Sequence, residues 1–218
     1  MNTVTEPAYR KRLGYQAGLL GGFALLSAAL LIVGNLSTHD VIEKRLDEDL
    51  QTSLERVIPA SLYTNNLLDT ALLVTDAQSR QVQVYRGLKA HQVTAVAYRI
   101  IANGYAGEIE LILGLDSDGR ILGVRVLSHA ETPGLGDKID DRKSDWILGF
   151  NGKSLENTTT AQWNVKKDGG EFDQFTGATI TPRGVVKAIH QGLDFFRQHR
   201  DTLLTLPQAA DNPAARGP

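Results

Sequence analysis

The rhythm of apolar and polar positions changes several times along the chain. From Leu13 to Leu36 it reads LGYQAGLLGGFALLSAALLIVGNL, with no charged residue. At about 1.5 Å per residue, a helix of that length exceeds the roughly 20 residues a bilayer requires. Asp40 to Ile58 (DVIEKRLDEDLQTSLERVI) then spaces Val41, Ile42, Leu46, Leu50, Leu54 and Val57 almost helically, with charges between them. This predicts an amphipathic stalk helix that ends before Pro59. Short β-branched runs follow at Ala71–Asp76, Gln81–Gly87 and Val93–Ile100, and each predicts a strand. Glu108–Asp116 and Ile121–His129 flank Ser117-Asp118-Gly119-Arg120, and Asp-Gly between two such runs predicts a hairpin. A loop over Ala130–Lys138, a helix around Asp145–Phe150, a segment around Trp163 and an amphipathic helix over Pro182–His199 complete the pattern. Antiparallel strands with helices outside strict βαβ alternation predict an α+β fold.

The first apolar run has a direction. Arg10, Lys11 and Arg12 precede it directly, so the positive-inside rule puts the N-terminus in the cytoplasm and everything beyond the span outside it. A cleavable signal peptide is the competing reading, since Ser27-Ala28-Ala29 offers small residues. The apolar run continues well past them, however, and a signal core is only about 7–15 residues long. An uncleaved signal-anchor is therefore expected. Gly14, Gly18 and Gly22 share one helix face, either as a close-packing stripe for another helix or as ordinary membrane-helix glycine. With no ionisable group in it, the span is not expected to conduct ions. The expected organisation is a cytoplasmic N-terminus (1–12), a transmembrane helix (13–36), a stalk (37–60), an outer domain (61–200) and a disordered tail (201–218) with small, polar, Pro-bearing composition.

Composition narrows the chemistry. The 218 residues carry 23 Lys and Arg against 25 Asp and Glu, so there is no basic excess to suggest nucleic acid. The absence of cysteine excludes disulfides, thiolate zinc sites, protein-ligated iron–sulfur clusters and cysteine nucleophiles. The five histidines do not fall at metal-ligand spacing. Asp116 and Asp118 hint at a calcium loop, but Leu127 stands where an EF-hand needs glutamate. Gly152-Lys153-Ser154 looks like the end of a phosphate-binding loop, but the first glycine of that motif would fall at Ile147. No nucleophile elbow is present.

Two segments remain. SHAETPGLGDKI, Ser128 to Ile139, combines Pro and two glycines with Glu131, Thr132 and Lys138, which suits a tight loop whose amides approach a ligand. DQFTGATITP, Asp173 to Pro182, gathers Thr176, Thr179 and Thr181 around Gly177 and Ala178 at a helix start. A helix N-terminus favours an anion such as phosphate. Read as residues alone, the pair suggests two loops gripping a phosphorylated cofactor. Ordinary turns and caps remain open beside that reading.

These segments resemble a known family. D-x-x-T-G-A-T, Asp173 to Thr179, matches the flavinylation motif of periplasmic FMN-binding domains. HAETPGLGDKI, WNVKKDGG (Trp163–Gly170) and FTGATITP, in this order, resemble the G component of the Rnf complex, RnfG, also called RsxG. The related NqrC component of the sodium-translocating quinone reductase has the same threonine motif. The resemblance runs from about Arg10 to Gly192. It implies a bacterial inner-membrane flavoprotein with a periplasmic FMN-binding domain after a single membrane helix. Such a protein relays electrons within an assembly that links ferredoxin and NAD to ion movement, or keeps a redox sensor reduced. The complex is the enzyme, and the chain alone is an electron carrier.

The resemblance also implies the site. FMN would be joined by phosphoester to Thr179, with Thr176 and Thr181 holding the phosphate or capping the helix, and Asp173 part of the recognised motif. Gly177 and Ala178 would let the turn enter the cleft of a flavin transferase. Glu131, Thr132, Leu135 and Gly136 would lie beside the flavin, with Lys138 complementing its charge. Trp146 or Trp163 would pack near the ring or serve as plain core. No catalytic or metal-ligating residue is expected. Implied partners are the other membrane and peripheral subunits, the transferase and membrane lipid, with no nucleic acid. The alternatives are an NqrC-like protein or an anchored scaffold or sensor without a cofactor.

Overall fold

Five strands form one antiparallel meander in the structure, a computed structural model describing residues 13–76 and 79–206. Arg10, Lys11 and Arg12, and the tail from residue 207, lie outside the described residues. The chain divides into two units between Glu48 and Asp49.

Helix α1 runs unbroken over Leu13–Glu55, where the sequence pattern predicts two elements meeting near residue 37. No proline lies between them, and a lone Gly34 lowers helix stability by only about 1 kcal/mol, too little to break a long helix. The Leu13–Asn35 portion is long and apolar enough to cross a bilayer. Its apolar side chains are exposed; Leu20, Leu25 and Leu31 are each at least 73% exposed.

In the second unit the strands are β1 (Leu72–Thr75), β2 (Gln81–Lys89), β3 (Gln92–Asn103), β4 (Glu108–Asp116) and β5 (Ile121–Ser128). They pair in chain order. At the β4–β5 hairpin, Gly119 takes φ 78°, and Asp116 Oδ1 accepts from the amides of Asp118 and Arg120 at 2.9 and 2.8 Å. The aspartate that hints at calcium is thus spent on its own turn. The β2–β3 hairpin turns on Ala90 and His91, with φ 51° and 60°. Both lack the Asn-Gly or Asp-Gly signature, so this turn is invisible to pattern reading.

Both faces of the sheet are covered. Leu111, Leu113 and Leu115 of β4 join the cluster that holds Val185, Ile189 and Leu193 of helix α2 (Ile180–Leu204). Ile112 points the other way, to Leu54, Val57 and Ile58. Two-sided burial explains the nearly continuous apolar run of β4, and each such leucine is worth about 1.5–3 kcal/mol. Gly114 lets the chain cross the second face: a Cβ there would stand 2.5 Å from the Val57 carbonyl oxygen. On the first face the buried Tyr98 hydroxyl donates to Gly192 O at 2.8 Å. Burial raises the pKa of that phenol, so it acts as a neutral donor. The helix expected near residue 145 is a 3-10 segment, Asp145–Phe150, started by Ser144, whose hydroxyl accepts from the Trp146 amide.

Candidate functional site

The threonine motif closes a turn and opens α2. Phe175 and Ala178 pair across the turn, and the Ala178 amide donates to Phe175 O at 3.2 Å. Gly177, the third residue, has φ 83°, a region that costs an L side chain about 1–2 kcal/mol. The turn itself therefore requires this glycine, apart from any need to enter a partner's cleft. Thr179 is the N-cap, with φ −88° and ψ −21°, and makes no side-chain cap bond. A capping hydroxyl normally sits on extended backbone, so this helical geometry accounts for the missing bond.

The three threonines have separate fates. Thr181 is fully buried, and its hydroxyl donates to Glu131 Oε2 at 2.5 Å. The expectation that Thr176 or Thr181 caps the helix is thus corrected: Thr179 holds the cap position, and Thr181 is already inside the first turn. Thr176 is exposed and Thr179 half-buried. Neither hydroxyl bonds to a described residue.

The second loop meets the first. Glu131 is 5% exposed, and its Oε1 accepts from the Ala106 amide at 2.9 Å. A Cβ on Gly136 would stand 2.4 Å from Glu131 Oε2 and 3.2 Å from the Thr181 hydroxyl. A Cβ on Gly177 would lie 3.2 Å from Leu135 Cδ2. Glu131, Leu135 and Gly136 are thereby brought against Gly177 and Thr181. Thr132 serves the loop through its carbonyl, which accepts from the amides of Leu135 and Gly136. Its side chain is exposed, as is Lys138, which no hydrogen bond or ion pair ties to the threonine turn.

Aromatic side chains support the turn from one flank. Trp146 packs edge-on to Phe175 at 5.0 Å and to Phe150 at 5.2 Å. Trp163 is 4% exposed, stacked with Phe150 in the core. Asp173 pairs with Lys166 at 2.6 Å. A small cavity of about 260 Å³ lies here, lined by Trp146, Gly149, Phe172 and three acidic residues.

Three neighbours of the site escape pattern reading. The β3–β4 turn supplies Gly104, where a Cβ would stand 2.3 Å from Glu131 Oε1, and Ala106. Gly184 of α2 lies so close to β3 that a Cβ would stand 2.1 Å from Asn103 O. A glycine-containing gap between two strands is a hairpin signal, but nothing in it announces contact with residue 131.

Residues 104–194 match the family model of an FMN-binding domain. Over 187 residues the chain is 50% identical to the G subunit of the ion-translocating oxidoreductase complex of Stutzerimonas stutzeri, covering 86% of this chain and 82% of that one. The chain belongs to this G-subunit family. A second member, from Cereibacter sphaeroides (strain ATCC 17029 / ATH 2.4.9), is 48% identical and covers 85% of each chain. The family fold is also that of the C subunit of the Na(+)-translocating NADH-quinone reductase from Parabacteroides distasonis. That structure superposes with a TM-score of 0.55 at 21% identity, covering 78% of this chain and 98% of that one. The likeness confirms the α+β architecture.

Proposed function

We propose that this member of the G-subunit family is a membrane-anchored electron carrier whose FMN is joined by phosphoester to Thr179. One observation carries the reading: in the D-x-x-T-G-A-T motif, Thr179 stands half-buried at the start of α2 with its hydroxyl uncommitted. The residues fit a phosphate. The first turn of α2 has backbone N–H groups without intrahelical acceptors, and none of the residues of that turn is itself acidic; the one carboxylate beside it, Glu131, is taken up by Thr181 and the Ala106 amide. Leu135 and the aromatic flank offer apolar surface near that end.

When bound, the flavin supplies the electron chemistry, and the protein supplies attachment, orientation and electrostatics. A covalent link suits a carrier that must keep its cofactor outside the cytoplasm, where free FMN is scarce. The basic triplet before the apolar helix supports a domain on the outer, periplasmic face of the inner membrane. Partners are the other subunits of an ion-translocating oxidoreductase, and a flavin transferase installs the cofactor.

The test is mass analysis of the full chain co-produced with a flavin transferase. The adduct should add about 440 Da, as expected for FMN joined with loss of water, and should map to Thr179. Thr179→Ala should abolish it. An adduct retained in that variant, or mapped to Thr176 or Thr181, overturns the assignment.

A further inference from the structure

One buried carboxylate ties three segments together at the threonine turn. Glu131 Oε2 accepts from Thr181 in the first turn of α2, and Oε1 accepts from the Ala106 amide in the β3–β4 turn. The Glu131 amide in turn donates to His129 Nδ1 at 3.1 Å, which fixes the start of the 131–136 loop. Glycines stand on both sides of the carboxylate. A Cβ on Gly104 or Gly136 would come within 2.3 or 2.4 Å of its oxygens. Thr181 is two residues from Thr179, on the same rigid helix start, and Leu135 is packed over Gly177.

A carboxylate buried to 5% exposure loses hydration and is retained only where its hydrogen bonds replace water. General stability does not call for a charge here, since apolar groups of the same shape serve a core as well or better. What the arrangement provides is geometry. Each oxygen has one donor on a different segment, so the segments cannot shift independently without stranding a buried polar group.

The geometry points to Glu131 as a positioning residue, acting through Thr181 and the Ala106 amide to hold the 131–136 loop at a set distance from the attachment turn. The inference rests on the reading of Thr179 as the attachment point. Glu131 on this view contacts loop and helix rather than flavin, and it limits how far a flavin on Thr179 swings against Leu135 and Gly136.

The experiment uses the full-length chain, co-produced with a flavin transferase and purified in detergent, as wild type, Thr181→Val, Thr181→Ser and Gly104→Ala. Thr181→Val removes the hydroxyl at nearly constant shape, and Thr181→Ser restores it. Gly104→Ala crowds the Glu131 carboxylate from the β3–β4 turn, along with the Ile109 side chain and the Gly107 carbonyl, and in a folded protein it decides the matter if Thr181→Val fails to fold. The readouts are adduct mass, fluorescence polarisation of the attached flavin and its midpoint potential.

The expected result is an adduct on Thr179 throughout. Thr181→Val and Gly104→Ala should lose polarisation, towards the value in urea, and should move in potential towards free FMN. Thr181→Ser should match wild type. Wild-type polarisation and potential in a folded Thr181→Val or Gly104→Ala protein overturn the positioning role. A wild-type protein without an adduct on Thr179 overturns the attachment reading itself, before any variant is compared.

Discussion

The indole N–H of Trp146 donates to the backbone carbonyl of Asp173 at 2.8 Å, joining the 3-10 segment to the first residue of the threonine motif. The same indole packs edge-on against Phe175, two residues further on. One side chain thereby holds the motif by a polar and an apolar grip. Trp146→Phe keeps a ring for Phe150 and Phe175 but gives up the bond to the exposed Asp173 carbonyl, which water then takes over. The expected cost is about 1 kcal/mol, read as a lower melting temperature. Limited proteolysis between Asp173 and Thr176 should also quicken, and unchanged cleavage would argue that Phe175 alone fixes the turn.

Gly177 faces two separate penalties on substitution. Its φ of 83° disfavours any L residue, and the new Cβ would meet Leu135 at 3.2 Å. Gly177→Ala should destabilise the domain by about 1–2 kcal/mol. Gly177→Ala combined with Leu135→Ala should recover only the steric share. Chemical denaturation of both variants separates the two, and full recovery in the pair would assign the whole cost to crowding.

Gly114→Ala probes the opposite face of the sheet. Its Cβ would stand 2.5 Å from the Val57 carbonyl oxygen, a backbone atom that cannot rotate away. Overpacking at such a site costs about 1–3 kcal/mol. The denaturation midpoint should fall, while the fraction of chain carrying a covalent flavin stays near wild type in the folded protein, because the threonine turn belongs to the other layer.

Asp140 predicts a pH dependence. Its carboxylate accepts from Arg142 Nη2 at 2.6 Å and from Nε at 3.1 Å, which lowers its pKa from an ordinary 3.8 to about 2. A depressed folded-state pKa means that the stabilisation is present above the unfolded value and is lost as pH falls through the folded one. The window is therefore about pH 4 down to 2. Arg142→Ala should flatten the loss of stability across that window and leave the profile above about pH 5 parallel to wild type, as measured by urea midpoints at stepped pH. Arg142 is 76% exposed on its side chain, so solvent screening keeps the effect small.

The five strands were legible from their short apolar, β-branched runs, and the Asp118-Gly119 hairpin because its chemistry is local. The Ala90-His91 hairpin was not legible, since pairing of β2 with β3 forces a backbone that neither residue prefers. The apolar helix and its length were legible for the same local reason, whereas its continuity with the stalk was not. No local stop signal exists near residue 37, and the pattern alone reads a change of face as a change of element.

At the site, the sequence by itself determined the local chemistry of the start of α2, three threonines around a glycine turn, and suggested a second glycine-rich loop as its companion without fixing their meeting. It could not assign the threonines their separate fates, because hydroxyls two or three residues apart differ only in what the fold brings against them. Tertiary structure committed Thr181 to Glu131 across 50 residues of chain and left Thr176 exposed and Thr179 half-buried with an uncommitted hydroxyl. It also brought Ala106 and Gly104 to the same carboxylate, a meeting set by the β3–β4 hairpin and by the packing of α2 on the sheet. Local chemistry selects turns and helix starts; only long-range packing decides which polar groups are already satisfied, and so which remain available.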